Sequence, residues 1–399
     1  METTSGRLHS TSPISRRYDL DWLRVIAFGI LIFFHVGMFF NHWDWHIKNN
    51  VITQAVEWPM RFSSQWRMSL LFMISGAGVY FALGSRGPAA FLQERMVRIF
   101  IPLVFGMFVI VPPQIFFERL TQGHTYGYGE FYKTVFQFVP YPQGSFSWHH
   151  LWYLVYIFCY SLLALPLLLF LRRNTLLTAR IAVFFSNPWT LIAVPVLWHV
   201  SGSTLLAEHF PTTHNLVRDW NEHFHDLTLF VTGFVLCTQT RFWDTLQKYR
   251  RLSLGIWITL TIALYAFYWT VERDMNATEW FVYDTIKTLN AWCILLSIFG
   301  YAYTYLQFSN PFLKYANEAV YPFYILHQTV IICLAYPIIH ASAHWLVKFI
   351  YLCVATFVIC LGLYHFAIRR SNVLRVLFGL KTEKRRRINA SVEPISSIS

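Results

Sequence analysis

Tyr18-Asp19-Leu20-Asp21-Trp22-Leu23-Arg24 opens an apolar run that continues through Val25-Ile26-Ala27-Phe28-Gly29-Ile30-Leu31-Ile32-Phe33-Phe34 to His35. A helix of about 20 such residues crosses the roughly 30 Å hydrocarbon core of a bilayer. Yet this one carries Asp21, Arg24 and His35. Ionisable groups inside a membrane are costly and face an interior cavity or a partner. Arg24 and His35 are eleven residues apart, so they lie within roughly 20° of one face and about 16 Å apart along the axis. Asp21 is one turn from Arg24 on the same side. The stretch therefore reads as a first membrane helix with an ion pair near one end and an imidazole deeper in. Histidine suits proton transfer because it titrates near neutrality. A histidine bridging two helices and an arginine snorkelling to the surface would leave the same pattern. Spacing alone keeps both readings open.

Nine more apolar runs follow, near residues 68–84, 98–117, 150–171, 187–206, 225–240, 251–270, 283–306, 319–339 and 345–368. The chain of 399 residues is 55% hydrophobic and 13% charged, against about 25% charged in an ordinary soluble domain. The expected fold is all-α: a polytopic transmembrane bundle of about ten spans with both termini cytoplasmic. Residues 1–17 read as a cytoplasmic tail, 18–370 as one membrane domain, and 371–399 as a basic, disordered cytoplasmic tail. Ser15-Arg16-Arg17 resembles a twin-arginine export signal, but Asp19, Asp21 and Arg24 interrupt the adjoining segment and no cleavage site appears. The six cysteines all fall in the apolar runs and read as small buried hydrophobes.

The net charge of +12 is distributed by topology. With the N-terminus inside, 23 of the 32 basic residues and 8 of the 20 acidic ones fall on the cytoplasmic side, leaving +15 inside and −3 outside. That distribution argues for contact with the lipid bilayer and against a nucleic-acid partner.

Further polar groups interrupt the apolar pattern. Arg95 and Arg98, i and i+3 at the cytoplasmic start of the third run, suit phosphate or carboxylate or simple membrane anchoring. Ser147-Trp148-His149-His150-Leu151-Trp152-Tyr153-Leu154 opens the fourth run, and Tyr321-Pro322-Phe323-Tyr324-Ile325-Leu326-His327-Gln328 lies in the ninth. His327 and Gln328 need partners at that depth, either in a cavity or on a neighbouring helix. The outward loops, rich in aromatics and histidine, fit an interfacial belt or a sugar-contacting surface. His42 and His46 are four residues apart but show no third ligand, so no metal site is expected.

In this order the motifs resemble the acyltransferase-3 family. Leu20-Asp21-x-x-Arg24 leading to His35 matches its first-helix pattern, and Phe72-Met73-Ile74-Ser75-Gly76 its Phe-Phe-x-x-Ser-Gly stretch. Arg95-x-x-Arg98 with Pro102, His150-Leu151-Trp152-Tyr153-Leu154, and Tyr321 to His327 come after them in sequence. The resemblance covers roughly 18–370 and is nearest to the glucan-biosynthesis C type. It implies transfer of an acetyl or succinyl group from cytoplasmic acyl-CoA, as donor substrate with no bound cofactor, to a hydroxyl of an extracytoplasmic carbohydrate. His35 would be the catalytic base, and Arg24, Arg95, Arg98, His150 and His327 would contact substrates. The implied location is the inner (cytoplasmic) membrane, multi-pass. A secondary transporter of a small acid or sugar, or a membrane scaffold, would also use many spans. Oligomeric state is left open.

Overall fold

Backbone polar groups in hydrocarbon must be satisfied within their own segment, so apolar runs of this length become helices. A computed structural model describes residues 16–270 and 274–383, and each of the ten runs is helical in it, with no named strand among the described residues. In chain order these are α1 (Tyr18–Met38), α2 (Arg67–Ser85), α3 (Pro88–Thr121) and the pair α4 (Trp152–Leu163) and α5 (Leu165–Arg173). Then come α6 (Pro188–Leu206), α7 (Trp220–Leu236), α8 (Thr240–Trp269), α9 (Ala277–Tyr305), α10 (Pro311–Ala335) and α11 (Trp345–Ile368).

Eight helical segments among the described residues are long and apolar enough to cross a membrane, or nine if the bent α4–α5 pair is one span. That is fewer than the ten expected. The shortfall is α7, which has 17 residues and carries Glu222, His223, His225 and Asp226 in its first half. The bend between α4 and α5 is 55°, next to Pro166, whose missing N–H breaks the helical ladder. In α3, π-helical turns at Met96–Phe100 and Gly106–Ile110 precede Pro102 and Pro112 respectively, a common way for a helix to absorb irregularity. A short apolar helix, Thr175–Phe184, was not expected.

Helix α1 is enclosed by α2, α9, α10 and α11, so Arg24 and His35 both meet a neighbouring helix. Gly76 and Gly233 bring α2 and α7 into backbone contact. A Cβ at Gly76 would stand 1.8 Å from the Phe230 carbonyl oxygen, and one at Gly233 would stand 1.9 Å from that of Met73. Large apolar side chains on the periphery, such as Leu197, Ile262 and Phe366, are exposed, as a lipid-facing surface requires.

The segment after 370 differs from the expected disordered tail. Residues 371–383 include a helix, α12 (Asn372–Leu377), and Arg375 is buried, paired with Glu318 at 2.7 Å and Glu383 at 3.3 Å. Two carboxylates and an apolar face give these residues something to fold against. The remainder of the expected tail, 384–399, and most of the expected N-terminal tail lie outside the described residues.

Candidate active site

The site residues expected from sequence fall into two groups, one towards each end of α1. Towards the N-terminal end is a cavity of about 660 Å³ lined by Arg24, Arg95 and Arg98. Arg16, Arg86, Lys314, Arg375 and Lys381 line it too, against Glu94 and Glu318 as the acidic residues. Arg24 is held in place: its Nη1 donates to Asn317 Oδ1 at 3.2 Å and lies 3.6 Å from Asp21 Oδ1, to which Asn317 also donates. Arg98 donates to the Gly379 carbonyl at 3.0 Å and to Glu94 at 3.1 Å. Arg86 takes the second Glu94 oxygen. Arg95 stacks on Phe91, 4.7 Å from the ring centre, and its Nε is buried without a partner among the described residues. One anchored guanidinium on α1 and two on α3 face a common space, a geometry suited to phosphate and carboxylate.

The cavity reaches Phe28, Ser75 and Tyr153. Next to them stands Tyr324, whose ring centre lies 5.3 Å from Phe28 and 5.9 Å from Tyr153, and also 5.9 Å from His150 and 6.0 Å from His327. Its hydroxyl donates to the His150 carbonyl at 2.6 Å. Tyr324 thus links residues that line the basic cavity to a histidine cluster.

In that cluster the carbonyl groups fix the protons, because a carbonyl oxygen only accepts. Tyr324 O lies 2.7 Å from His327 Nδ1, so that nitrogen carries the proton and Nε2 is an acceptor. His35 Nδ1 lies 3.0 Å from Leu31 O and 3.2 Å from His327 Nε2. Both are acceptors, so neutral His35 is protonated at Nδ1 and keeps the lone pair on Nε2. This is the tautomer a general base needs.

His150 is close to His327, with ring centres 5.3 Å apart, but is used differently. Its Nε2 donates to Ile325 O at 3.0 Å and its Nδ1 accepts from Gln114 Nε2 at 3.2 Å. Both nitrogens are committed, so His150 ties the turn before α4 to α10 and supports the cluster. From Gln114 a chain of hydrogen bonds runs outward: Gln328 donates to Gln114 and to His46 Nε2, each at 3.0 Å, and His46 Nδ1 donates to Glu118 at 2.6 Å. Tyr141 donates to the other Glu118 oxygen at 2.6 Å, and burial, then that carboxylate, push its phenol above the usual range.

His46, Glu118 and His149 bring ligand atoms within 4.8 Å of one another, a grouping that the His42–His46 spacing did not foretell. His42 instead bonds Glu57 at 2.8 Å. The hydrogen-bond chain places the His46 protons against a metal: Nδ1–H points at Glu118, and Nε2 is taken by Gln328. Only His149 Nε2, buried and unpartnered among the described residues, is ready to ligate, so the set does not fit a metal without rewiring.

Sequence reading missed Asn317, Gln114, Gly379 and, most notably, Arg67. Arg67 begins α2 and is buried beside Phe34, its guanidinium carbon 3.8 Å from the ring centre. It had a signal: an arginine flush against an apolar run on the side where positive charge is scarce. Lys48 was also passed over. Its ammonium caps the end of α1, donating to Met38 O at 2.7 Å, Asn41 O at 2.9 Å and Trp43 O, and burial lowers it to about 8. It secures the helix end next to His35.

A family profile described as an acyltransferase domain, of the acyltransferase-3 type, matches residues 17–365. The chain belongs to that family. It is an acyl-transferring enzyme and a multi-pass membrane protein. Among curated proteins, the acyltransferase is similar to glucans biosynthesis protein C of Shigella dysenteriae serotype 1, 21% identical over 92% of this chain and 96% of the relative. It is likewise 22% identical to the protein of that name from Salmonella typhimurium, over 96% of this chain and all of the relative. No solved structure matches the chain.

Proposed function

We propose that this acyltransferase moves an acyl group from cytoplasmic acyl-CoA to a hydroxyl of an extracytoplasmic glycan, in the inner membrane. The observation that carries the reading is the division of α1. Its Arg24 end opens into the guanidinium-lined cavity, and its His35 end carries a neutral imidazole whose Nε2 has no hydrogen-bond partner among the described residues. The cavity lies at the Lys/Arg-rich end, which the positive-inside rule assigns to the cytoplasm, and suits the phosphates of CoA. Arg24, Arg95 and Arg98 hold the donor, and the thioester extends past Tyr324 towards His35. His35 Nε2 takes the proton of the acceptor hydroxyl as the oxygen attacks the thioester carbon. The carbon–sulfur bond breaks, the thiolate leaves, and the proton passes from His35 to the sulfur. His327 keeps His35 in the required tautomer. The glucan named in the relatives makes carbohydrate the favoured acceptor.

Radiolabelled acetyl-CoA or succinyl-CoA on one side of liposomes holding the protein, with glucan oligosaccharides on the other, tests this. Covalent label on the oligosaccharide is expected, and its loss in His35→Ala. Near-normal transfer by that variant would sink the role of His35. Movement of an unmodified solute without acyl-CoA would replace the enzyme reading by a transporter.

A further inference from the structure

The described residues include three buried cationic side chains: Arg67, Lys348 and Arg375. Two of them are fully provided for. Lys348 donates to Asn49, Asn50 and Ile339 O at 2.8 to 3.1 Å, and Arg375 has Glu318 and Glu383. Arg67 is 4% exposed, forms no ion pair with any described residue, and has Nε and Nη1 sealed from solvent without a hydrogen-bond partner. The face of Phe34 is a weak substitute for an anion. Arginine holds its charge at neutral pH, so it cannot escape by losing a proton. A buried, uncompensated guanidinium is among the least favourable arrangements a fold can keep.

Its location gives it a use. Phe34, on which it rests, precedes His35, and its ring centre stands 5.6 Å from that of His35, which in turn meets His327 at 3.2 Å. We propose that Arg67 binds an anionic oxygen of the acyl group during transfer and is left unpaired in the resting protein to receive it. The inference rests on the acyl-transfer reading above. As the hydroxyl oxygen bonds to the thioester carbon, the carbonyl electron pair moves onto its oxygen. Arg67 donates to that oxyanion until it collapses and expels the thiolate, while His35 carries the proton. A carboxylate at the far end of a dicarboxylic acyl group offers the same anionic oxygen in the ground state. The guanidinium fits either source, and the two are separable by donor.

Full-length detergent-solubilised Arg67→Met, Arg67→Lys and Arg67→Ala are compared with wild type and His35→Ala, using acetyl-CoA and succinyl-CoA with glucan oligosaccharides. Arg67→Met should lower kcat by about 100-fold while its Tm rises, because a well-packed apolar side chain replaces an uncompensated charge. Guanidinium ion should restore part of the activity of Arg67→Ala, and lysine should retain part of it. Loss with both donors identifies the oxyanion as the ligand; loss confined to succinyl-CoA identifies the carboxylate. Arg67→Met turnover within about threefold of wild type with both donors would overturn the proposal. So would a lowered Tm, since that would mean the charge is structurally compensated. If wild type transfers no acyl group from either donor, the acyl-transfer reading itself has failed, independently of Arg67; retained turnover in His35→Ala would sink the role of His35 alone.

Discussion

The cavity at the Arg24 end of α1 gathers eight cationic side chains around Glu94 and Glu318, whereas the cluster at the His35 end holds its imidazoles in hydrogen bonds that leave almost no proton unassigned. The first arrangement has surplus charge and several donors aimed at one space. A polyanionic ligand would be shared among them, so the loss of one weakens binding without removing it. The second depends on one tautomer at one atom. The same helix thus carries a region built for redundancy and a region built for a single proton.

The largest expected effect tests that contrast directly. His35→Ala should reduce transfer by about 1,000-fold or more while donor binding, read as thermal stabilisation by acyl-CoA, stays unchanged. Next comes His327→Leu, which removes the acceptor for His35 Nδ1–H. His35 still has Leu31 O at 3.0 Å, so about a 30- to 100-fold loss of kcat is expected, with His327→Gln, able to accept the same hydrogen bond, recovering part of it. Equal losses for both variants would mean that His327 acts through bulk and not through its lone pair.

The cavity should respond in the other parameter. Arg95→Ala is expected to raise KM for the donor by about tenfold, in line with the loss of one charge-assisted hydrogen bond worth about 1.5 kcal/mol, and to leave kcat within about threefold. Arg95 is the cleaner probe because Arg98 also holds the Gly379 carbonyl. Gly379 has φ +69°, and a Cβ there would meet the Tyr321 ring at 2.1 Å, so loss of Arg98 also loosens the chain that forms the cavity wall. A fall in kcat without a change in KM for Arg95→Ala would erase the distinction between the two ends.

Much of this was legible because membrane burial makes polar residues conspicuous. Arg24, His35, His327 and the Arg95–Arg98 pair stood out against apolar runs, and helical geometry put Arg24 and His35 on one face. What the sequence did not carry was pairing across helices. Asn317 lies 293 residues from Arg24 and Gln114 lies 215 from Thr329; neither contact can be inferred from local pattern. His150 was expected to contact substrate, and only the fold shows both of its nitrogens taken. The ordered stretch 371–383 escaped because a basic, polar segment resembles a solvated tail until Glu318 is brought to Arg375. Arg67 was visible as a residue, but its lack of a partner among the described residues is a property of the fold.

Glu118→Gln probes the outer end of the hydrogen-bond chain, where the expected effect on turnover is smallest. In wild type the Glu118 carboxylate accepts from His46 at 2.6 Å and from Tyr141 at 2.6 Å. A glutamine has one accepting oxygen, so one of the two donors would face an NH2 group and lose its bond. That should lower stability by about 1–3 kcal/mol, seen as a reduced Tm. Between His46 and His150, however, stand Gln328 and Gln114. Amide side chains hold their neighbours in place without passing a proton, so the change should reach His150 only as a small shift in position. Transfer is expected to stay within about threefold of wild type. A loss comparable to that of His35→Ala would mean that the proton leaves the cluster through Glu118. The histidine end would then be a conduit to the outer surface, and the boundary between scaffold and chemistry would have to be redrawn around His46.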